Sequence, residues 1–256
     1  MEDWTVLSFV IPAHNEEQHI GRTIAAIAAI GATCGEPFEI IVVDDASTDR
    51  TADIATAAGV VLVQVQYRQI AATRNAGARR ASGDILFFVD ADTLATPDAV
   101  LAAVCEIRKG SVGGGCVFRF DGTLPIWTRI MYPVAVILAR RLTLVGGCFL
   151  FCTREAFDAI GGFCERYYAA EEVAFIRALK RRGRFAVPKP VVVTSGRKLR
   201  ANSCWRIIRE AWRWMAAGPE SYQDRTGLEL WYGERLPDTQ IHAEQPDATE
   251  RRIGRV

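Results

Sequence analysis

The chain has 256 residues, 50% of them hydrophobic and 24% charged, with a formal net charge of +1. That length can bury one full core, and the near-neutral balance removes any global electrostatic case for nucleic acid as a partner. Seven cysteines, an odd number with no C-x-x-C pair, argue against a zinc or disulfide framework and fit a reducing cytoplasm. The start Met1-Glu2-Asp3-Trp4 lacks the charged n-region of a signal peptide. The apolar run Met131 to Ala139 is far short of a membrane span and stops at Arg140-Arg141.

In chain order, Val6 to Ile11 reads as a buried strand closed by Pro12, with Asn15 as N-cap of a helix over about Glu16 to Ile30. His14 and His19 have no partner pattern and read as surface residues. A second strand, Phe38 to Val43, ends in Asp44-Asp45, and Ser47 or Thr48 can cap a helix that runs through Ala58. Val60 to Val65 is a third strand, followed by a helix over Ile70 to Ala81 that contains Arg74-Asn75-Ala76-Gly77. Ile85 to Val89 is a fourth, apolar on both faces, and it runs into Asp90-Ala91-Asp92. The alternation is that of a doubly wound, mostly parallel α/β sheet. Ligands of such sheets sit beyond the carboxyl ends of the strands, and two of these strands end in aspartates.

Asp90 and Asp92 have no basic neighbour within five residues, so a divalent cation carrying substrate phosphates is one reading of the pair. An ordinary Asx turn is the other. Neither a G-x-G-x-x-G nor a P-loop follows the first strand, which weighs against dinucleotide and NTPase chemistry.

The second half continues with a helix from Thr96-Pro97-Asp98 to about Lys109 and a strand over Gly113 to Phe120. The glycines of that strand suit either a substrate contact or a sheet crossing. An apolar helix spans about Trp127 to Arg140, Cys148 to Phe151 is a strand, and Thr153 caps a short helix ending at Gly161-Gly162. A helix from Glu171 to Arg182 carries Glu171 and Glu172 in its first turn. After the strand Val191 to Val193, Thr194-Ser195-Gly196-Arg197-Lys198 can bring a cation and hydroxyls towards a diphosphate. Trp205, Ile208, Trp212 and Met215 form one face of a basic amphipathic helix, which suits either packing on the domain or a membrane surface. Beyond Gly218 the chain is polar.

Four segments taken together resemble the motif series of the inverting family 2 glycosyltransferases. They are Val10 to Glu17, Val42 to Asp49, Arg74-Asn75-Ala76-Gly77 and Val89-Asp90-Ala91-Asp92. The resemblance implies a GT-A fold, a nucleotide-diphospho-sugar donor, and Mn²⁺ or Mg²⁺ as cofactor. It implies that Pro12 and Glu16 line the donor pocket, that Asp45 meets the base, that Arg74 lies near base and diphosphate, that Asp90 contacts the ribose side and that Asp92, with Asp90, holds the metal; Ala13, Asn15, Ala91 and Arg197 are further candidates for the donor site. Glu172 matches the general base of the family's Glu-Asp pair, one methylene longer than the usual Asp, with Glu171 as the fallback.

The expected organisation is one GT-A domain over 1–218, with a nucleotide-sugar half (1–110), an acceptor half (111–218) and a C-terminal tail (219–256). The acceptor is an unspecified hydroxyl, on a lipid-linked or polysaccharide substrate, with peripheral membrane contact through 205–217. A sugar-phosphate nucleotidyltransferase and a non-catalytic nucleotide-sugar-binding protein are the competing readings.

Overall fold

The computed structural model describes residues 5–123, 145–201 and, apart from these, 132, 134, 136–138, 140, 141, 143 and 209. A seven-stranded sheet runs in the order β3 (Val61–Val65), β2 (Phe38–Asp45), β1 (Leu7–Ala13), β4 (Ile85–Val89), β8 (Phe149–Thr153), β6 (Gly113–Gly115), β9 (Phe185–Ala186), and a three-stranded sheet has the order β5 (Thr93–Leu94), β10 (Val191–Thr194), β7 (Val117–Phe120). β1 (Leu7–Ala13), β2 (Phe38–Asp45), β3 (Val61–Val65) and β4 (Ile85–Val89) are mutually parallel. Between them run α1 (Ile20–Cys34), α2 (Thr51–Ala57) and α3 (Ile70–Arg80). β5 (Thr93–Leu94) and α4 (Pro97–Arg108) follow β4, and Thr96 caps α4 by accepting from the Ala99 amide. β8 (Phe149–Thr153) returns antiparallel to β4.

Strands covered on both faces explain the unbroken apolar runs in the sequence. Phe87 packs on one side of the sheet with Phe9, Phe149 and Phe151. Phe88 packs on the other with Phe157, Phe163 and Phe175. Cys148, just before β8, and Cys152, within it, are buried, as is Cys116.

Several sequence expectations need correction. Pro12 does not close β1, which continues through it to Ala13; β4 pairs with β1 only as far as Val10, so one edge of β1 has no strand neighbour beyond that point. α1 begins at Ile20 rather than Glu16, and Asn15 caps nothing there. Asn15 (φ 52°) is instead locked to the next loop: its amide donates to Ser47 Oγ (2.9 Å) and its Oδ1 accepts from the Thr48 amide (2.8 Å). Ser47 and Thr48 are thereby used, and α2 begins only at Thr51.

The segment Gly113 to Phe120 is two strands in two sheets, β6 (Gly113–Gly115) and β7 (Val117–Phe120), so the sheet crossing is what its glycines serve. A Cβ on Gly114 would lie 2.3 Å from the Ala186 carbonyl of β9 (Phe185–Ala186).

The second half of the chain continues with α5 (Arg154–Ile160), capped by Thr153 and ended by Gly161, then α6 (Glu171–Arg182), β10 (Val191–Thr194) and α7 (Arg197–Ala201). Most of the helix expected at Trp127 to Arg140, the amphipathic stretch 205–217 apart from Arg209, and the tail 219–256 lie outside the described residues.

Candidate active site

Because β1, β2 and β4 are parallel, their carboxyl ends open on one edge of the sheet, and a cleft of about 170 Å³ lies there. Its lining brings together Pro12, Ala13, Glu16, Asp45, Arg74, Asp90, Ala91, Asp92, Glu171, Glu172 and Arg197. Of the residues expected in the site, only Asn15 stands outside this lining, in the loop lock described above.

α3 delivers the central cation. Gly77 lets the helix approach the sheet, since a Cβ there would meet Val10 Cγ1 at 2.3 Å. One turn earlier, Arg74 is buried and reaches three partners: Asp90 Oδ1 (2.8 Å), Glu171 Oε1 (3.0 Å) and the Gly147 carbonyl (3.0 Å). Its guanidinium also lies over the Phe163 ring, 5.2 Å from the centroid, and Phe163 in turn stacks on Phe175.

A second arginine closes the far side. Arg197, at the start of α7, forks onto the buried carboxylate of Glu16 (Nη1 to Oε2, 2.9 Å) and reaches Asp92 Oδ2 (3.1 Å). Both aspartates of the D-x-D therefore have arginine partners, supplied by distant segments that a count of near neighbours in sequence misses.

Asp45 is more committed than expected. Its Oδ1 accepts from the Arg68 amide (2.7 Å), and its Oδ2 accepts from the Gln69 amide (3.0 Å) and the Thr73 hydroxyl (2.8 Å). It thus ties β2 to the start of α3. His14 lines the cleft and His19 is buried, so neither is the surface residue that was expected. His14 Nδ1 lies 2.8 Å from the Asp45 carbonyl, an acceptor only, so that nitrogen carries the hydrogen; the Arg68 guanidinium meets the ring's other nitrogen.

Glu171 and Glu172 differ in setting. Glu171 is buried, and desolvation followed by the Glu172 charge pushes its carboxyl up to about 8, against the pull of Arg74. Glu172 is partly exposed and lies against Gly147, where a Cβ would be 3.3 Å from its own Cβ.

Arg68, Gln69, Thr73 and Gly147 line the cleft and were not singled out in the sequence. The available signal for Thr73 was a polar residue on a helix whose positions 71–78 are all buried. Gly147 was visible only as half of a Gly-Gly pair.

Six carboxylates and three guanidiniums line the cleft. A diphosphate entering that excess of negative charge needs a cation with it. Asp90 and Asp92 each engage an arginine through one oxygen and keep the other outside that pair. Among the described residues no group of three or more His, Cys, Asp or Glu is placed to hold an ion by itself. Such a donor set suits a hard cation whose coordination is completed by substrate phosphates.

Comparison with known proteins follows the same lines. The sequence profile of glycosyl transferase family 2 matches residues 8–164. The chain belongs to that family. A validoxylamine A glucosyltransferase of Streptomyces hygroscopicus subsp. limoneus is 36% identical over 130 residues, 47% of this chain and 28% of that protein. An undecaprenyl-phosphate 4-deoxy-4-formamido-L-arabinose transferase of Pectobacterium carotovorum is 38% identical over 122 residues, 43% of this chain and 36% of the relative. The family 2 chain thus spans about a third of the length of these curated relatives.

Among solved structures, a mannosyltransferase of Pyrobaculum calidifontis in complex with GDP-Man and Mn²⁺ superimposes with a TM-score of 0.64 at 24% identity, covering 82% of this chain and 62% of that one. Glucosyl-3-phosphoglycerate synthase of Mycobacterium tuberculosis, with Mn²⁺, UDP and its product, gives 0.58 at 22%, covering 83% and 78%. The fold is that of the GT-A glycosyltransferases.

Proposed function

We propose that the cleft binds a nucleotide-diphospho-sugar with its divalent cation and that the chain transfers the glycosyl group, with inversion, to an acceptor hydroxyl. The observation that carries this reading is the pairing of Asp90 and Glu171 through one buried arginine, which sets the D-x-D and the Glu171-Glu172 pair around a single space. In this reading Asp92 and Asp90 would hold Mn²⁺ or Mg²⁺, which when bound supplies charge neutralisation for a departing diphosphate. Pro12, Ala13 and Asp45 frame the nucleotide side, and Arg197, anchored on Glu16, sits beside Asp92.

Glu172 takes the acceptor proton. It is the more accessible acid of the pair, whereas Glu171 is buried against Arg74 and serves to hold that arginine. A carboxylate is a weak base towards a sugar hydroxyl, so proton transfer comes late, as attack on the anomeric carbon makes the hydroxyl acidic.

Two of the relatives' features extend the proposal: their names include transfer involving undecaprenyl phosphate, and solved neighbours were captured with UDP or GDP-Man. A lipid-linked acceptor, met at a membrane surface by 205–217, is the corresponding proposal for this chain. Among the described residues no helix is long and apolar enough to cross a membrane.

Calorimetry of nucleoside diphosphates with Mn²⁺ and with a chelator tests the donor site. Binding should strengthen with the ion in the wild type and lose that gain in Asp92→Ala. Equal affinity with ion and with chelator would overturn the metal assignment, and absence of slow hydrolysis of every radiolabelled donor would overturn the transferase reading.

A further inference from the structure

The hydrogen bonds around Asp45 carry information about the donor base. A carboxylate offers about four lone-pair sites. Three protein donors already use this one: the amides of Arg68 and Gln69 and the hydroxyl of Thr73. The Thr73 hydroxyl also lies 2.7 Å from the Gln69 carbonyl, and it has a single hydrogen to give. That hydrogen belongs to Asp45. Without it, hydroxyl and carboxylate oxygens would face each other at 2.8 Å with no proton between them, and the Gln69 carbonyl already accepts from the Thr73 amide at 3.0 Å. An ionised acceptor also makes the stronger bond.

Oδ2 is therefore filled and Oδ1 keeps one lone pair. We infer that Asp45 can accept one hydrogen bond from a base and not two, so that the donor carries uracil or thymine, each with one ring N–H, rather than guanine. Guanine presents N1–H and the N2 amino group side by side and asks for two acceptors, so in this pocket one of its donors goes unmet. Thr73, with the Gln69 amide, sets the preference by occupying the oxygen that guanine would need. The inference rests on the proposed reading of the cleft as the donor site, with Asp45 meeting the base as the family resemblance implies, and it adds the identity of that base, which the reading leaves open.

Titration of UDP, TDP and GDP into the wild-type chain with Mn²⁺ reads the preference directly. UDP and TDP are expected to bind about tenfold or more tightly than GDP, the scale of one unmet buried donor. Thr73→Val keeps the side-chain shape and deletes the hydroxyl, which opens a lone pair on Oδ2. In that variant the gap between UDP and GDP should narrow by about threefold or more, provided its thermal unfolding stays cooperative. GDP binding as tight as UDP in the wild type would overturn the inference while leaving the donor site intact, and so would an unchanged ratio in folded Thr73→Val. The wild-type ratio decides alone if that variant does not fold. Binding of no nucleoside diphosphate at all would sink the donor-site reading and this inference with it.

Discussion

On the side of the cleft built from β1 and β2, residues 15–17 and 47–51 are knitted by short hydrogen bonds between two adjoining loops. The Asn15 amide meets Ser47, the Glu16 amide meets Thr51 Oγ1 at 2.8 Å, and the Glu17 amide meets Asp49 Oδ2 at 3.1 Å. The opposite side, with Glu171 and Arg197, is tied in by ion pairs reaching between segments distant in sequence. Many modest bonds, each worth about 0.5–1.5 kcal/mol net, make the first side rigid and tolerant of single losses. Two buried arginines make the second side dependent on single residues, because removing one partner strands a charge. The first side is thus built like a mould, and the second like a bracket on two bolts.

The difference can be broken from either end. The largest effect is expected at the chemical step. Glu172→Gln should lower turnover by about 10²–10⁴-fold, with nucleotide affinity near wild type, as measured by steady-state rates beside calorimetry. Near-normal turnover would move the base to Glu171. Next comes Arg74→Met, which deletes one bolt. With Asp90 partly exposed and Glu171 able to take a proton, the loss should sit near the low end of the range for broken buried pairs, about 3 kcal/mol in denaturant unfolding. Asn15→Ala, on the knitted side, should cost only about 1 kcal/mol by the same measurement. If it costs as much as Arg74→Met, the contrast between the two sides fails.

The last effect is in pH. The Glu171 carboxyl, ordinarily near 4.5, is held at about 8, so the folded chain binds its proton more tightly than the unfolded one does. Its contribution to stability is fully present below about pH 4.5 and is lost as pH rises through about 8. Unfolding midpoints of the wild type should therefore fall more across that window than those of Glu171→Gln.

Much of this was legible in the sequence. The bounds of α3, β4 and α6 follow from periodicity and breakers, and the D-x-D and Glu-Glu pairs stand out as acids placed where strands end and a helix begins. Asn15 misled because a residue type that favours helix caps serves equally well to lock two loops, and the choice depends on Ser47 arriving from 32 positions away. The arginine partners of Asp90 and Asp92 lie 16 and 105 positions off in sequence, beyond any local reading of charge. The role of Thr73 is of the same kind: a hydroxyl before Arg74 says nothing until β2 brings Asp45 against it.

β8 joins the parallel strands, β1 to β4, to β6 and β9, with Cys152 within it and Cys148 immediately before it. Desolvation raises both thiols well above the ordinary range, and Cys116, at the sheet crossing, is pushed up to about 12. Thiolate at these positions is scarce while the sheet stays closed. An alkylating reagent reaches Cys152 only when β8 parts from its neighbours, so the chain carries its own clock for the opening of the sheet, wound by the hydrophobic core and read against the exposed Cys105, which reacts at once.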